Sequence, residues 1–132
     1  MWKEAIICIV IVITITVGNV ITQNYTVETV EGLSKKLEEL KEDIINIEKD
    51  ENMEKQANDK IEKIMEDWEN RHDKLAYYIE HDELEKVETN LTGMKSFIET
   101  KEYSEAISEL DKNVFILKHI EDKYAFNLEN IF

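Results

Sequence analysis

Residues 30–47 read VEGLSKKLEELKEDIINI, and six apolar side chains, Val30, Leu33, Leu37, Leu40, Ile44 and Ile47, recur at alternating steps of three and four. With 3.6 residues per turn, those steps put all six on one stripe of a helix, and a sustained seven-residue repeat is the mark of a coiled-coil seam. The positions between them are mostly Glu, Lys and Asp, which suit a solvated face. The segment is therefore expected to be a helix with one greasy edge.

The same phase runs on through Glu51, Glu54 and Asn58, which are polar, and resumes at Ile61, Met65, Trp68, His72, Leu75 and Ile79. The window DENMEKQAN, residues 50–58, is either a solvated stretch of helix or a turn. It holds neither Gly nor Pro, so continuity is expected. A helix from Val27 to Glu80 would run roughly 80 Å, too long for helical partners of about twenty residues to cover. Its first half is then expected to need another chain, most simply a second copy. Leu33, Leu37, Leu40, Ile44 and Ile47 are the residues expected to make that interaction.

Downstream the pattern restarts. Asp82 is placed to cap a new helix, with Glu85 in the capping-box position, ahead of Leu84, Val87, Leu91, Met94 and Ile98. After Thr100-Lys101-Glu102 a further stripe follows at Tyr103, Ala106, Ile107, Leu110, Val114, Leu117 and Ile120, with Tyr124 one turn on. These two segments form an αα-hairpin. Packed on the Ile61 to Ile79 half of the long helix, the hairpin predicts an antiparallel three-helix bundle. The apolar tail, residues 126–132, is expected to lie over it. The fold class is all-α, divided into an anchor (residues 1–22), a membrane-proximal stalk (23–58) and a bundle domain (59–132).

Upstream, Ala5 to Ile21 reads AIICIVIVITITVGNVI, 17 residues without a charge. That length is near the lower limit for crossing a bilayer's ~30 Å hydrocarbon layer as a helix. Trp2 stands where an amphipathic ring suits the headgroup zone. Residues 5–21 are accordingly expected to meet membrane lipid as a single-pass anchor. The competing reading is a signal peptide cut after the small-x-small triplet Thr16-Val17-Gly18, which would release a secreted helical domain. Lys3 is the only base near the apolar run until Lys35. The positive-inside bias therefore puts the N-terminus in the cytoplasm and the C-terminal domain outside the cell membrane.

Charge narrows the partners. Thirty acidic residues against sixteen basic ones give a net charge of −14, and Lys3 and Glu4 cancel, so the excess lies beyond the apolar run. A phosphate backbone attracts Lys/Arg patches, so nucleic acid is excluded as a partner. Arg71 is the only arginine. Its planar fork can hold a carboxylate bidentately, and it is expected to pair with an acid of the hairpin; recognition of an acidic partner is the functional alternative. The scarcity of Arg beside abundant Lys, Ile and Asn points to an AT-rich, bacterial genome.

Catalytic constellations are scarce. Glu69-x-x-His72 has the carboxylate and imidazole spacing of di-iron bundles, but it occurs once where two copies are needed. Glu80-His81-Asp82-Glu83 gathers carboxylates, yet acids belong at a helix N-terminus, where the macrodipole favours them. Cys8, within the apolar run, is the only cysteine, so no intrachain disulfide or paired-thiol zinc site can form. No serine sits in a Gly-flanked elbow. Gly93, mid-helix, is expected to let helices approach closely. No metal or other cofactor is expected, and the protein is expected not to be an enzyme.

The run WENRHDKLAYYIEHDELEKVETNL, the segment EYSEAISEL and the terminal NLENIF resemble a bacterial family, domain of unknown function 4363, over nearly the whole chain. The resemblance implies one N-terminal membrane segment ahead of a helical domain, and a multi-pass membrane protein as neighbour. It brings no activity and no site residues. The function expected is an interaction or assembly module at the outer face of the membrane, partnered by itself or by a neighbouring membrane protein. An extracytoplasmic sensor or ligand-binding bundle is the alternative.

Overall fold

The computed structural model describes residues 1–125; the tail expected to cover the helices, residues 126–132, lies outside the described residues. Among them are four α-helices and no strand: α1 (Trp2–Asn46), α2 (Asn52–Leu75), α3 (His81–Glu99) and α4 (Tyr103–Tyr124). The all-helical reading therefore stands, but the number and division of helices differ from the sequence expectation.

The long helix does not continue to Glu80. It ends at Asn46, and α2 begins at Asn52. The turn needs no Gly or Pro, because Asp50 organises it: its Oδ1 accepts the Asn52 backbone N–H at 2.9 Å and its carbonyl accepts that of Met53 at 3.0 Å. Turning back lets α2 cover the stripe of α1. Cross-helix ion pairs join Lys36 to Asp67 at 2.9 Å and Lys60 to Asp43. Residue numbers rise on α1 as they fall on α2, so the two helices are antiparallel.

Each helix then touches two others. α1 packs on α2 and α4, and α3 completes the ring between them. Val30, Leu33, Leu37, Leu40, Ile44 and Ile47 share one buried cluster with Ala57, Ile61, Ile64, Trp68, Leu84, Val87, Leu91, Met94, Leu110 and Leu117. The core is thus built by four helices, not three. Residues 26–47 belong to it, so no separate stalk exists, and the boundary expected at residue 58 falls inside α2.

Stripe phases were mostly legible. On α2 Met65, expected on the stripe, is only half-buried, as is His72, whereas Ala57 and Ile64 are buried, because α2 faces both α1 and α3. On α4 the position beside the expected Val114 is taken by Asn113, fully buried with neither amide atom hydrogen-bonded among the described residues. Such a group weakens a core compared with an apolar side chain of similar shape. The boundary near His81 holds, but Glu80 is the capping residue and makes no side-chain cap; Asp82 lies in the first turn.

The first part of α1 stands clear of this body. Every residue from Trp2 to Gly18 is exposed, and α1 is the one helix among the described residues long and apolar enough to cross a membrane. Its threonines are satisfied locally: the Thr14 and Thr16 hydroxyls donate to the Val10 and Val12 carbonyls at 2.8 Å. No break separates the apolar run from the core-forming part.

Candidate functional site

Leu33, Leu37, Leu40, Ile44 and Ile47, the residues expected to bind another chain, are closed inside their own. Leu37 and Leu40 have 0% of their surface exposed. Turning α2 back on α1 satisfies the stripe within one chain, and the argument for a homodimeric coiled coil through it falls away.

Arg71 is also committed, though not to the hairpin. Its Nε donates to Asp67 Oδ1 at 3.0 Å within α2, and its NH1 donates to Thr29 Oγ1 on α1 at 3.1 Å, with Glu28 3.8 Å away. The guanidinium lies 5.9 Å from the centre of the Tyr25 ring. Burial alone would raise the Asp67 carboxyl; hydrogen bonds from Lys36 and Arg71 outweigh it and hold the group below the usual carboxylate range. Arg71 therefore acts as a clasp between α1 and α2.

The feature left open is a groove of about 630 Å³ between α2 and α3. Met65, Trp68 and Leu91 line it together with Glu62, Glu66, Glu69 and Asp73 from α2 and Glu88 from α3. The α2 carboxylates fall at steps of four, three and four, so helix geometry sets them in one row beside the Met65 and Trp68 positions. Lys95 is the sole lysine or arginine lining the groove, and it pairs with Glu62 at 3.4 Å and Glu99 at 3.9 Å. Among the described residues, Glu66, Glu69 and Glu88 have no ion-pair partner, and the undescribed tail contains no base.

His72 lines the same groove with its ring edge-on to Trp68, centroids 6.1 Å apart and planes at 70°. Glu69 and His72 thus share a groove, while Glu80 and Glu83 are both taken by Lys123 at 3.2 and 3.0 Å. Among the described residues no three His, Cys, Asp or Glu side chains are arranged to hold a metal ion. What the groove offers chemically is an apolar floor under an excess of negative charge, suited to a cationic amphipathic ligand.

Sequence reading missed this site because it placed Met65 on the core stripe. The signal was present as the row Glu62, Glu66, Glu69 and Asp73, in register with an incompletely buried apolar stripe. Among the described residues, the cavity lined by Thr26, Thr29, Trp68 and Leu117 amounts to about 10 Å³, the scale of a single water.

At the end where α1 leaves the body, the Tyr78 hydroxyl donates to the Thr22 carbonyl at 3.2 Å and lies 2.9 Å from Thr26 Oγ1. Burial pushes this phenol above its ordinary value. Across the same end, the Tyr124 hydroxyl accepts the Glu80 backbone N–H at 2.9 Å.

A family model described as Domain of unknown function (DUF4363) matches residues 20–131. No curated protein and no solved structure matches the chain.

Proposed function

The chain belongs to the DUF4363 family, and from that premise we propose a non-enzymatic protein held in the cell membrane by residues 5–21. Its acidic helical body stands at the outer face, and the α2–α3 groove receives a cationic amphipathic segment of a neighbouring membrane protein. The observation that carries this reading is the charge imbalance of the groove: five carboxylates, Glu62, Glu66, Glu69, Asp73 and Glu88, surround apolar side chains with one lysine among them. A partner that brings cations and apolar surface gains both contacts.

Anchoring is supported by the exposed, charge-free run on α1, and orientation by Lys3 just ahead of that run. A helix pairs its backbone N–H and C=O groups within itself, so one such segment can cross the hydrocarbon layer without a neighbour.

A photoreactive side chain at Glu69 in intact membranes, with a purification tag after Phe132, tests the reading. A discrete adduct with a membrane protein through a Lys/Arg-bearing segment is expected, and it should vanish on Glu66→Lys with Glu88→Lys while helicity is kept. Adducts no different from those at exposed Phe115 would refute it. The size of the tagged chain also decides between an anchor and a cleaved signal.

A sensor is favoured by a different observation, the unbroken run of α1 from the apolar segment into the core. A shift of packing around Thr26 to Ile44 would be carried along that helix without a hinge. For such a sensor the groove, not the core, is the place for a ligand.

A further inference from the structure

The end of the body from which α1 projects differs chemically from the opposite end. Four of the five tyrosines, Tyr25, Tyr77, Tyr78 and Tyr124, gather there, and only Tyr103 lies at the far end. The connection between α2 and α3, residues 76–80, is tied to α1 by the Tyr78 hydroxyl on the Thr22 carbonyl. Thr22 is the first residue after the apolar run closes at Ile21, so this connection sits level with the first turn beyond the hydrocarbon-crossing segment.

Three of those tyrosines are engaged within the chain. Tyr78 holds Thr22, Tyr124 holds Glu80, and Tyr25 lies under Arg71 and Lys74, at 5.9 and 5.4 Å from its ring centre. Tyr77 is not. Its side chain is 89% exposed, beyond the apolar run the most exposed large hydrophobic side chain among the described residues. An amphipathic ring in that position is poorly explained by solvent, and well explained by a headgroup layer, where rings of Tyr and Trp concentrate. Trp2, 79% exposed, occupies the corresponding place at the other end of the run.

We infer that the α2–α3 connection rests in the headgroup layer of the membrane that α1 crosses, with the Tyr77 ring inserted among the headgroups. The inference depends on the anchoring proposed above. The lipid concerned is zwitterionic: a body of net charge −14, with Asp73 and Asp82 exposed near this end, gains nothing from anionic headgroups. Lys74, whose ammonium lies over the Tyr25 ring at this end, has a long stem that lets the charge reach phosphates without being buried. One consequence concerns the groove. Its Asp73 end then lies next to the bilayer and its Glu62 end away from it, so a partner segment running along it would stand along the membrane normal.

Full-length chain reconstituted in phosphatidylcholine vesicles, with bromine placed on the upper acyl carbons, tests this through tryptophan quenching. Trp68→Phe leaves Trp2 to report the anchor. Trp2→Phe, Trp68→Phe and Tyr77→Trp together place the only indole on the connection, and the same background with Phe115→Trp places it near the middle of α4, two and a half turns and so roughly 14 Å along the helix from Tyr124. Loss of most fluorescence is expected for the first two chains and little loss for the third. Quenching of Trp2 with no more at position 77 than at position 115 overturns the inference while leaving the anchor intact. An unquenched Trp2 overturns the anchor, and the inference with it. If Trp68→Phe loosens the core, Cys8→Ser with Tyr77→Cys carrying an environment-sensitive dye gives the same comparison, a blue-shifted emission supporting the contact and a water-like one opposing it.

Discussion

Arg71 shows how one residue ties two helices. Lysine keeps its charge but cannot donate to Asp67 and Thr29 from one planar group. Arg71→Lys is expected to cost roughly 1 kcal/mol in urea unfolding, because a part-buried hydrogen bond is lost; unchanged stability would return Arg71 to the pool of partner-binding residues. Asp67 gives the pH dependence. Its folded carboxyl titrates below its unfolded value, so its contribution is full above about pH 4 and is lost as pH falls through the folded value. Asp67→Asn should therefore be less stable than the natural chain at pH 7, by roughly 0.5–1 kcal/mol for a pair of this exposure, and the difference should vanish once pH has fallen below the lowered value of the folded carboxyl.

Two other positions carry residues that their backbones do not favour. A Cβ at Gly93 would meet the Glu109 side chain at 3.7 Å, an ordinary contact, so the close approach expected of this glycine is absent. Lys101 has φ of 62°, the left-handed conformation that ends α3, with the Glu102 N–H returning to the Phe97 carbonyl at 2.8 Å. Gly93→Ala and Lys101→Gly should each stabilise by about 0.5–1 kcal/mol, read as a rise in thermal midpoint. Sequence alone misjudged Gly93 because the spacing between neighbouring helices is a tertiary quantity.

At the scale of elements, the apolar stripe of α1 was legible to the residue, since Val30, Leu33, Leu37, Leu40, Ile44 and Ile47 are all buried. Its partner was not. Periodicity reports that a face is covered and says nothing of what covers it. The answer lay in five residues, 47–51, where Asp50 turns the chain. Charging the stripe is consequently expected to unfold the body, not merely to separate copies: Leu37→Glu should cost more than about 3 kcal/mol, the sum of a lost core side chain and a buried charge. Circular dichroism showing a folded but dissociated Leu37→Glu chain would restore the intermolecular reading. The groove escaped for a related reason, because Met65 and His72 share the stripe's phase, and only the spacing of α2 from α3 leaves them half-covered.

Over the whole molecule, the exposed segment and the packed body are separable. Residues 2–18 bury nothing against the core, so removal of residues 1–21 should leave helicity and cooperative unfolding intact, with a change in thermal midpoint of no more than a few degrees; collapse of the transition would show that the apolar segment helps to hold the body. By itself the sequence determined that the chain is helical, that one apolar run precedes an acidic remainder, and which side chains are apolar on each helix. These are local properties, set by periodicity and composition within a few turns. Tertiary structure decided that α1 is covered by its own α2 and α4, that Arg71 clasps α1 to α2 instead of waiting for a partner, and that carboxylates of α2 and α3 meet across a groove. Each of these depends on which helices become neighbours, and that follows from the free energy of burying all four stripes together, which no single stripe contains.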